Sequence, residues 1–235
     1  MEYLKLIWDI VFPKKCINCK KEGAYLCEDC LSLIEINPYR QCLCEKMEKR
    51  DKCDDCKNKY LNKIFSAASF QNKILKEAIH KFKYGYIKDL AQQLSILILS
   101  HLQIIELEID KSLIVIPVPM TNKKKRRRGF NQSEEMGKII SEATDIPLFN
   151  NVLIKTKETS PQMELKREER MNNVKNCFEI QNEKNIKDKI ILLLDDVYTT
   201  GSTMEECAKT LKQSGAKEVW GLTVAREVDQ QHYFV

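Results

Sequence analysis

Four short apolar runs stand out along the chain: Ile64-Phe-Ser-Ala-Ala-Ser-Phe70, Leu113-Ile-Val-Ile-Pro-Val118, Ile190-Ile-Leu-Leu-Leu194 and Glu218-Val-Trp-Gly-Leu-Thr-Val-Ala225. Unbroken runs of this length suit strands buried on both faces of a parallel sheet. Between them the spacing changes to the helical period. Asn72 to Phe82 carries Ile74, Leu75, Ala78, Ile79 and Phe82 on one face, and Asp89 to about Gln103 reads as a second apolar helix. Ser133 to Glu142 and Met204 to Gln213 complete the set, the last ended by Ser214-Gly215. Strands alternating with helices predict an α/β domain: a mainly parallel sheet with helices on both faces.

Before residue 60 the pattern differs. Large apolar residues are few, and eight of the ten cysteines fall there, as Cys16-x-x-Cys19, Cys27-x-x-Cys30, Cys42-x-Cys44 and Cys53-x-x-Cys56. Two-residue spacing lets one tight turn offer two thiolates to a tetrahedral Zn²⁺. The expectation is a small four-cysteine zinc module over residues 1–60, folded largely by its metal, ahead of an α/β domain over 61–235. Four pairs could build two sites, with sequential and interleaved pairing both open. Cys42-Leu-Cys44 is one residue short of the usual knuckle, which weakens the second site. A redox Cys-x-x-Cys is the weaker reading, since no thioredoxin-like strand lies nearby. Met1 to Phe12 has the spacing of a short amphipathic helix and lacks the features of a signal peptide. The run Leu94 to Leu102 is too short for a membrane span. A cytoplasmic protein without membrane insertion is expected, with its cysteines as thiols or metal ligands.

The stretch Ile190 to Met204 carries the candidate chemistry. A buried strand meets Asp195 and Asp196, then Thr199-Thr-Gly-Ser-Thr203, then a helix. A helix N-terminus presents unpaired amides and a positive dipole end, which favour phosphate. Gly201 allows close approach, and Thr199, Thr200, Ser202 and Thr203 add hydroxyl donors. Carboxylates beside a phosphate cradle suit sugar hydroxyls or a divalent metal, so a phosphorylated sugar fits both halves. This stretch resembles the 5-phosphoribosyl-1-pyrophosphate (PRPP) loop of type I phosphoribosyltransferases.

Two further segments add to this. After Pro117-Val-Pro119 comes Lys123-Lys-Lys-Arg-Arg-Arg128-Gly-Phe-Asn-Gln132, six consecutive cations at the carboxyl end of a core strand. Ligands of open α/β sheets bind at that edge, so a loop receiving pyrophosphate is expected there. Net charge is only +5, which hints at anionic ligands without requiring nucleic acid. The polar segment from Lys155 to Val174 reads as a long loop, a candidate lid.

The cysteine pairs, Pro-Val-Pro, Arg-Gly-Phe-Asn-Gln, Lys-x-Thr-x-x-Gln-x-x-Leu-x-x-x-x-Arg-x-x-Asn-Val and Asp-Asp-Val-x-Thr-Thr-Gly occur in that order from Trp8 to Ala225. The chain thereby resembles the ComF family, linked to DNA uptake (competence) in some bacteria. The resemblance implies a type I phosphoribosyltransferase fold and PRPP as ligand, with Mg²⁺. Asp195 and Asp196 would meet the ribose, Thr199 to Thr203 the 5′-phosphate, and Arg128 with its loop the pyrophosphate. Gln162 and Arg170 would belong to the lid. Three functions fit: phosphoribosyl transfer to an unnamed acceptor, PRPP sensing, and handling of single-stranded DNA for the uptake machinery.

Overall fold

The computed structural model describes residues 13–40, 42–44, 56–157 and 175–227. The expected N-terminal helix, Cys53, Gln162 and Arg170 lie outside the described residues. In chain order the elements are α1 (Glu28–Leu31), β1 (Lys63–Ser69), α2 (Lys73–Tyr84), α3 (Leu90–Ile104), β2 (Leu113–Pro117), α4 (Asn122–Arg128), α5 (Gln132–Thr144), β3 (Leu153–Lys155), β4 (Phe178–Ile180), β5 (Ile190–Tyr198), α6 (Ser202–Gln213) and β6 (Glu218–Arg226). A short 3-10 turn covers Glu183–Asn185.

The main sheet has the order β1-β6-β5-β2, and every pairing in it is parallel. The four apolar runs are its four strands, as their two-sided burial requires. One face packs on α2, α3 and α5 through Leu75, Phe82, Leu94, Ile98, Met136 and Ile140. The other packs on α6 and the β3–β4 hairpin through Met204, Cys207, Leu211, Leu153 and Phe178. Helices thus lie on both faces.

Both outer strands are covered. Ile36 bridges antiparallel to Ala68 of β1, and Asn37 N–H donates to the Ala67 carbonyl at 2.7 Å. On the other side, Val115 of β2 exchanges backbone hydrogen bonds with Pro147 and Phe149 at 2.8 and 2.9 Å. These strips cap the unpaired edge groups that would otherwise template pairing with another chain.

The N-terminal segment does not stand apart from this core. Cys16, Leu26, Cys27, Cys30 and Ile34 are buried with Phe65, Ala67 and Phe82 on the α2–α3 face. Cys42, Leu43 and Cys56 are buried with Ile64 and Tyr198 on the opposite face. The segment therefore wraps the β1 edge and shares apolar burial with the sheet, which the scarcity of large side chains before residue 60 does not suggest.

Two local expectations change. Lys123 to Arg128 is read as a loop from its charge but forms helix α4. Thr121 caps it, its hydroxyl accepting from Lys124 N–H, and Gly129 ends it at φ 83°. The segment read as one long loop is bracketed by a hairpin, with Leu153–Lys155 pairing antiparallel to Phe178–Ile180.

Candidate functional site

β2 ends at Pro117, paired with Leu194, and Val118 N–H makes the last bond across at 2.8 Å. β5 runs four residues further, beside β6 alone. The alternation of a strand then decides where the two acids point: Asp196 and Tyr198 are buried, while Asp195 and Val197 are half-buried. A crevice opens where β2 stops, at the carboxyl edge of the sheet.

Asp195 is fixed by its neighbours. Its Oδ1 accepts from Ser133 Oγ at 3.2 Å and from the Asp196 backbone N–H at 2.9 Å. Burial, and then the adjacent Asp196 charge, push its carboxyl up to about 6, against the pull of Lys83. Asp196 is 6% exposed and is paired at 2.8 Å with Lys83 Nζ from the end of α2. Burial alone would lower the Lys83 pKa; attraction to Asp196 and Asp195 outweighs it and raises it, so the ammonium stays charged.

Cations converge on this acid pair. Residues 124 and 128 share a face of α4, four positions apart. Arg128 is 7% exposed, donates to Gln132 Oε1 at 2.6 Å and stacks 5.4 Å above the Tyr84 ring. Burial, offset by Asp196, brings its guanidinium below its ordinary value. The Lys124 ammonium is also held low, by desolvation and by like charge on Arg128, Lys155 and Lys83. Lys83, Lys124 and Arg128 thus place positive charge beside the two carboxylates.

The turn that follows leads from β5 into α6. Thr199, Thr200, Gly201, Ser202 and Thr203 are all partly exposed, between buried Tyr198 and buried Met204. Gly201 sits at φ 75° as the N-cap of α6 and brings no side chain of its own, while the Thr200 hydroxyl accepts from Ser202 N–H at 3.4 Å. Thr200 and Ser202 share a hydroxyl hydrogen bond at 2.8 Å. The Gly-Phe-Asn-Gln motif acts as a bracket. Asn131 caps α5, its side chain accepting from Ser133 N–H and donating to the Val118 carbonyl, both at 3.1 Å. Gln132 Nε2 donates to the Phe82 carbonyl at 3.3 Å. One motif thus ties the ends of β2, α2 and α5 around Arg128.

The cysteines gather sequentially. Sγ atoms of Cys16, Cys19, Cys27 and Cys30 lie within 4.8 Å of one another, and so do those of Cys42, Cys44 and Cys56. In the first cluster the thiols compete for protons. Backbone N–H donors bring Cys16 down to about 6 despite the opposing pull of burial. Cys27 is pushed up to about 12 by burial and the neighbouring thiols, which outweigh a backbone donor from Cys30. Four sulfurs at such separations fit a tetrahedral soft cation, which would bind them as thiolates. Both clusters could hold a metal such as zinc.

The phosphoribosyl transferase domain matches residues 87–231. Competence protein F of Haemophilus influenzae is 30% identical over 230 residues, covering 91% of this chain and 98% of its own. The chain belongs to the ComF family. The DNA utilization protein YhgH of Shigella flexneri is 31% identical, over 63% of this ComF chain and 66% of its own length. Among solved structures, the allosteric regulatory enzyme of purine biosynthesis aligns with 57% of the chain at 20% identity and a TM-score of 0.38. The aligned part is 26% of that enzyme.

In this ComF chain the fold brings Asp195, Asp196, Arg128 and the 199–203 turn into one crevice, and it adds Lys83, Lys124 and Lys155. The first two were legible only as members of basic runs, and Lys155 only as the start of a polar segment. Nothing in spacing alone distinguishes Lys83 from Lys81, which pairs with Glu77 on the outside of α2. No described helix is long and apolar enough to cross a membrane.

Proposed function

We propose that the crevice binds PRPP and that the chain transfers its phosphoribosyl group to an acceptor nucleophile, as a glycosyltransferase of the cytoplasm. The observation that carries this reading is the acid pair of β5, one buried and one half-buried, placed between the cations of α2 and α4 and the glycine-started N-terminus of α6. Asp195 and Asp196 would accept hydrogen bonds from the ribose hydroxyls. Thr199, Thr200, Gly201, Ser202 and Thr203 would hold the 5′-phosphate, and Arg128 would face the pyrophosphate. Gln162 and Arg170 would close over the ligand. The carboxylates suit Mg²⁺, which would supply charge neutralisation of the leaving pyrophosphate. Zn²⁺ at the cysteine clusters would be structural, in a module spanning residues 1–60 ahead of the transferase domain at 61–235.

The test is calorimetric titration of PRPP with Mg²⁺. Losing two charge-assisted acceptors, each worth roughly 1.5–3 kcal/mol, should weaken binding on the order of a hundredfold or more in Asp195→Asn/Asp196→Asn. Equal binding by wild type and double variant removes the ribose-holding role. Pyrophosphate release on offering acceptors separates a transferase from a PRPP sensor.

A second reading has its own observation. A groove of about 550 Å³ is lined by Tyr86, Lys88, Lys125, Arg126, Arg127 and Lys138 among others, and Tyr86 is 60% exposed there. Cations beside an exposed aromatic ring suit single-stranded DNA, through backbone charge and base stacking. The relatives named for competence and DNA utilization support a link to DNA uptake.

A further inference from the structure

Lys83 lies upstream of the matched transferase domain, in the last turn of α2. A lysine ammonium has three N–H donors. Among the described residues, Asp196 is its sole hydrogen-bonding partner, at 2.8 Å. Its side chain is 24% exposed, so most of its reach to water is already lost. The position is costly for a group of this kind unless something beyond Asp196 uses the remaining donors. The surroundings say what that is. Lys124 and Arg128 carry like charge toward the same point, and Lys155 adds to it. Among the described residues, Lys83, Lys124 and Arg128 outnumber the buried carboxylate Asp196 and its half-buried neighbour Asp195.

We infer that Lys83 is a pyrophosphate-binding residue of this site, bridging the ribose-side acid Asp196 and the incoming diphosphate. The inference rests on the PRPP reading above. Two facts favour a ligand contact over a purely structural ion pair. Arg128 also attracts Asp196 electrostatically, so Lys83 is not the sole positive charge acting on that carboxylate. And Gln132, which holds Arg128, also bonds the Phe82 carbonyl next to Lys83 in sequence. The bracket therefore fixes Lys83 and Arg128 as one unit, as convergent anion recognition needs. Binding would proceed without Lys83 leaving Asp196, since two donors remain.

The experiment compares three ligands by calorimetry with Mg²⁺ on the full chain: PRPP, ribose 5-phosphate and inorganic pyrophosphate. In Lys83→Met, PRPP and pyrophosphate should bind at least tenfold more weakly, and ribose 5-phosphate should change by less than about twofold, the loss of one charged contact. Lys83→Gln keeps a hydrogen-bond donor for Asp196, and hence the fold, without the charge; it should show the same split. Equal weakening of all three ligands would assign Lys83 to ordering Asp196 and overturn the inference. So would unchanged PRPP affinity in both variants. Wild-type protein that binds none of the three overturns the PRPP reading itself, a result distinct from either.

Discussion

The Tyr198 hydroxyl oxygen lies 2.3 Å from where a Cβ on Gly201 would stand. The same hydroxyl donates to the Leu43 carbonyl at 3.2 Å, and Arg226 stacks 5.1 Å above the ring. Gly201 is thus fixed twice, by its φ of 75° and by a ring that is itself held. Gly201→Ala should distort the phosphate turn, at about 1–2 kcal/mol for the backbone conformation before the contact with Tyr198 is counted. PRPP affinity should fall at least tenfold. Wild-type affinity in this variant, read by calorimetry, would show that the turn does not carry the phosphate.

Asp195 predicts a pH signature. With its carboxyl pushed up to about 6, the folded chain keeps a proton between about pH 4 and pH 6 that the unfolded chain has released. Stability from this group therefore falls as pH rises through that window, and the cost is complete above about 6. Asp195→Asn removes the titration while retaining an acceptor for Ser133. The variant should melt like wild type at pH 4 and higher than wild type at pH 8, by on the order of 2 kcal/mol or roughly 4–8 °C. Buried His101 acts oppositely: burial lowers its pKa, so its contribution is lost as pH falls below the unfolded value. Because His101 is common to both proteins, the difference between their melting curves isolates Asp195. A difference that is constant from pH 4 to 8 would contradict the assignment.

Asp195 and Asp196 stand out because two acids at the end of an apolar run need a purpose. Their unequal environments do not, since those arise from strand alternation past the end of β2, and where β2 ends depends on pairing 77 residues away between Leu113 and Ile190. The four main strands were legible because burial on both faces leaves them mostly apolar. The β3–β4 hairpin was not: three residues a side, one of them exposed Glu179, give too short a pattern. α4 was hidden by its charge, since its helical spacing matters only for Lys124 and Arg128. The sharing of the core by Cys16, Cys27 and Cys30 was likewise invisible, because a cysteine before residue 60 reads as a ligand and not as apolar surface.

The cysteine clusters set a third expectation. Protein purified without chelator should contain up to two Zn²⁺ per chain, and less than about half a zinc by elemental analysis would sink the metal assignment. Cys16→Ser removes a ligand and buries a hydroxyl among Leu26, Phe65 and Phe82. It should lower the melting temperature of the whole chain. Cys19 is exposed, so Cys19→Ser should lose metal with a smaller loss of stability.

Nucleic acid and PRPP offer a fourth test, because the α4 cations border both the crevice and the Tyr86 groove. If single-stranded DNA uses them, its affinity should fall with salt by about 0.7 log units per log unit for each phosphate met. Neutralising Lys125, Arg126 and Arg127 should flatten that slope. Mg·PRPP should compete with DNA. DNA affinity unmoved by saturating PRPP would assign the two ligands to separate places.

β1, the first strand, lies beside β6, the last, and Arg226 at the end of β6 donates to the carbonyls of Cys42 and Cys44, 184 and 182 residues earlier. A chain emerging from the ribosome therefore holds β1 and the second cysteine cluster unfinished until its final strand arrives. Closing contacts of such separation is slow, and loss of the last few residues of β6 would open the sheet between β1 and β5. A premature stop near residue 217, which removes all of β6, should accordingly yield an aggregating fragment and not a shortened folded protein.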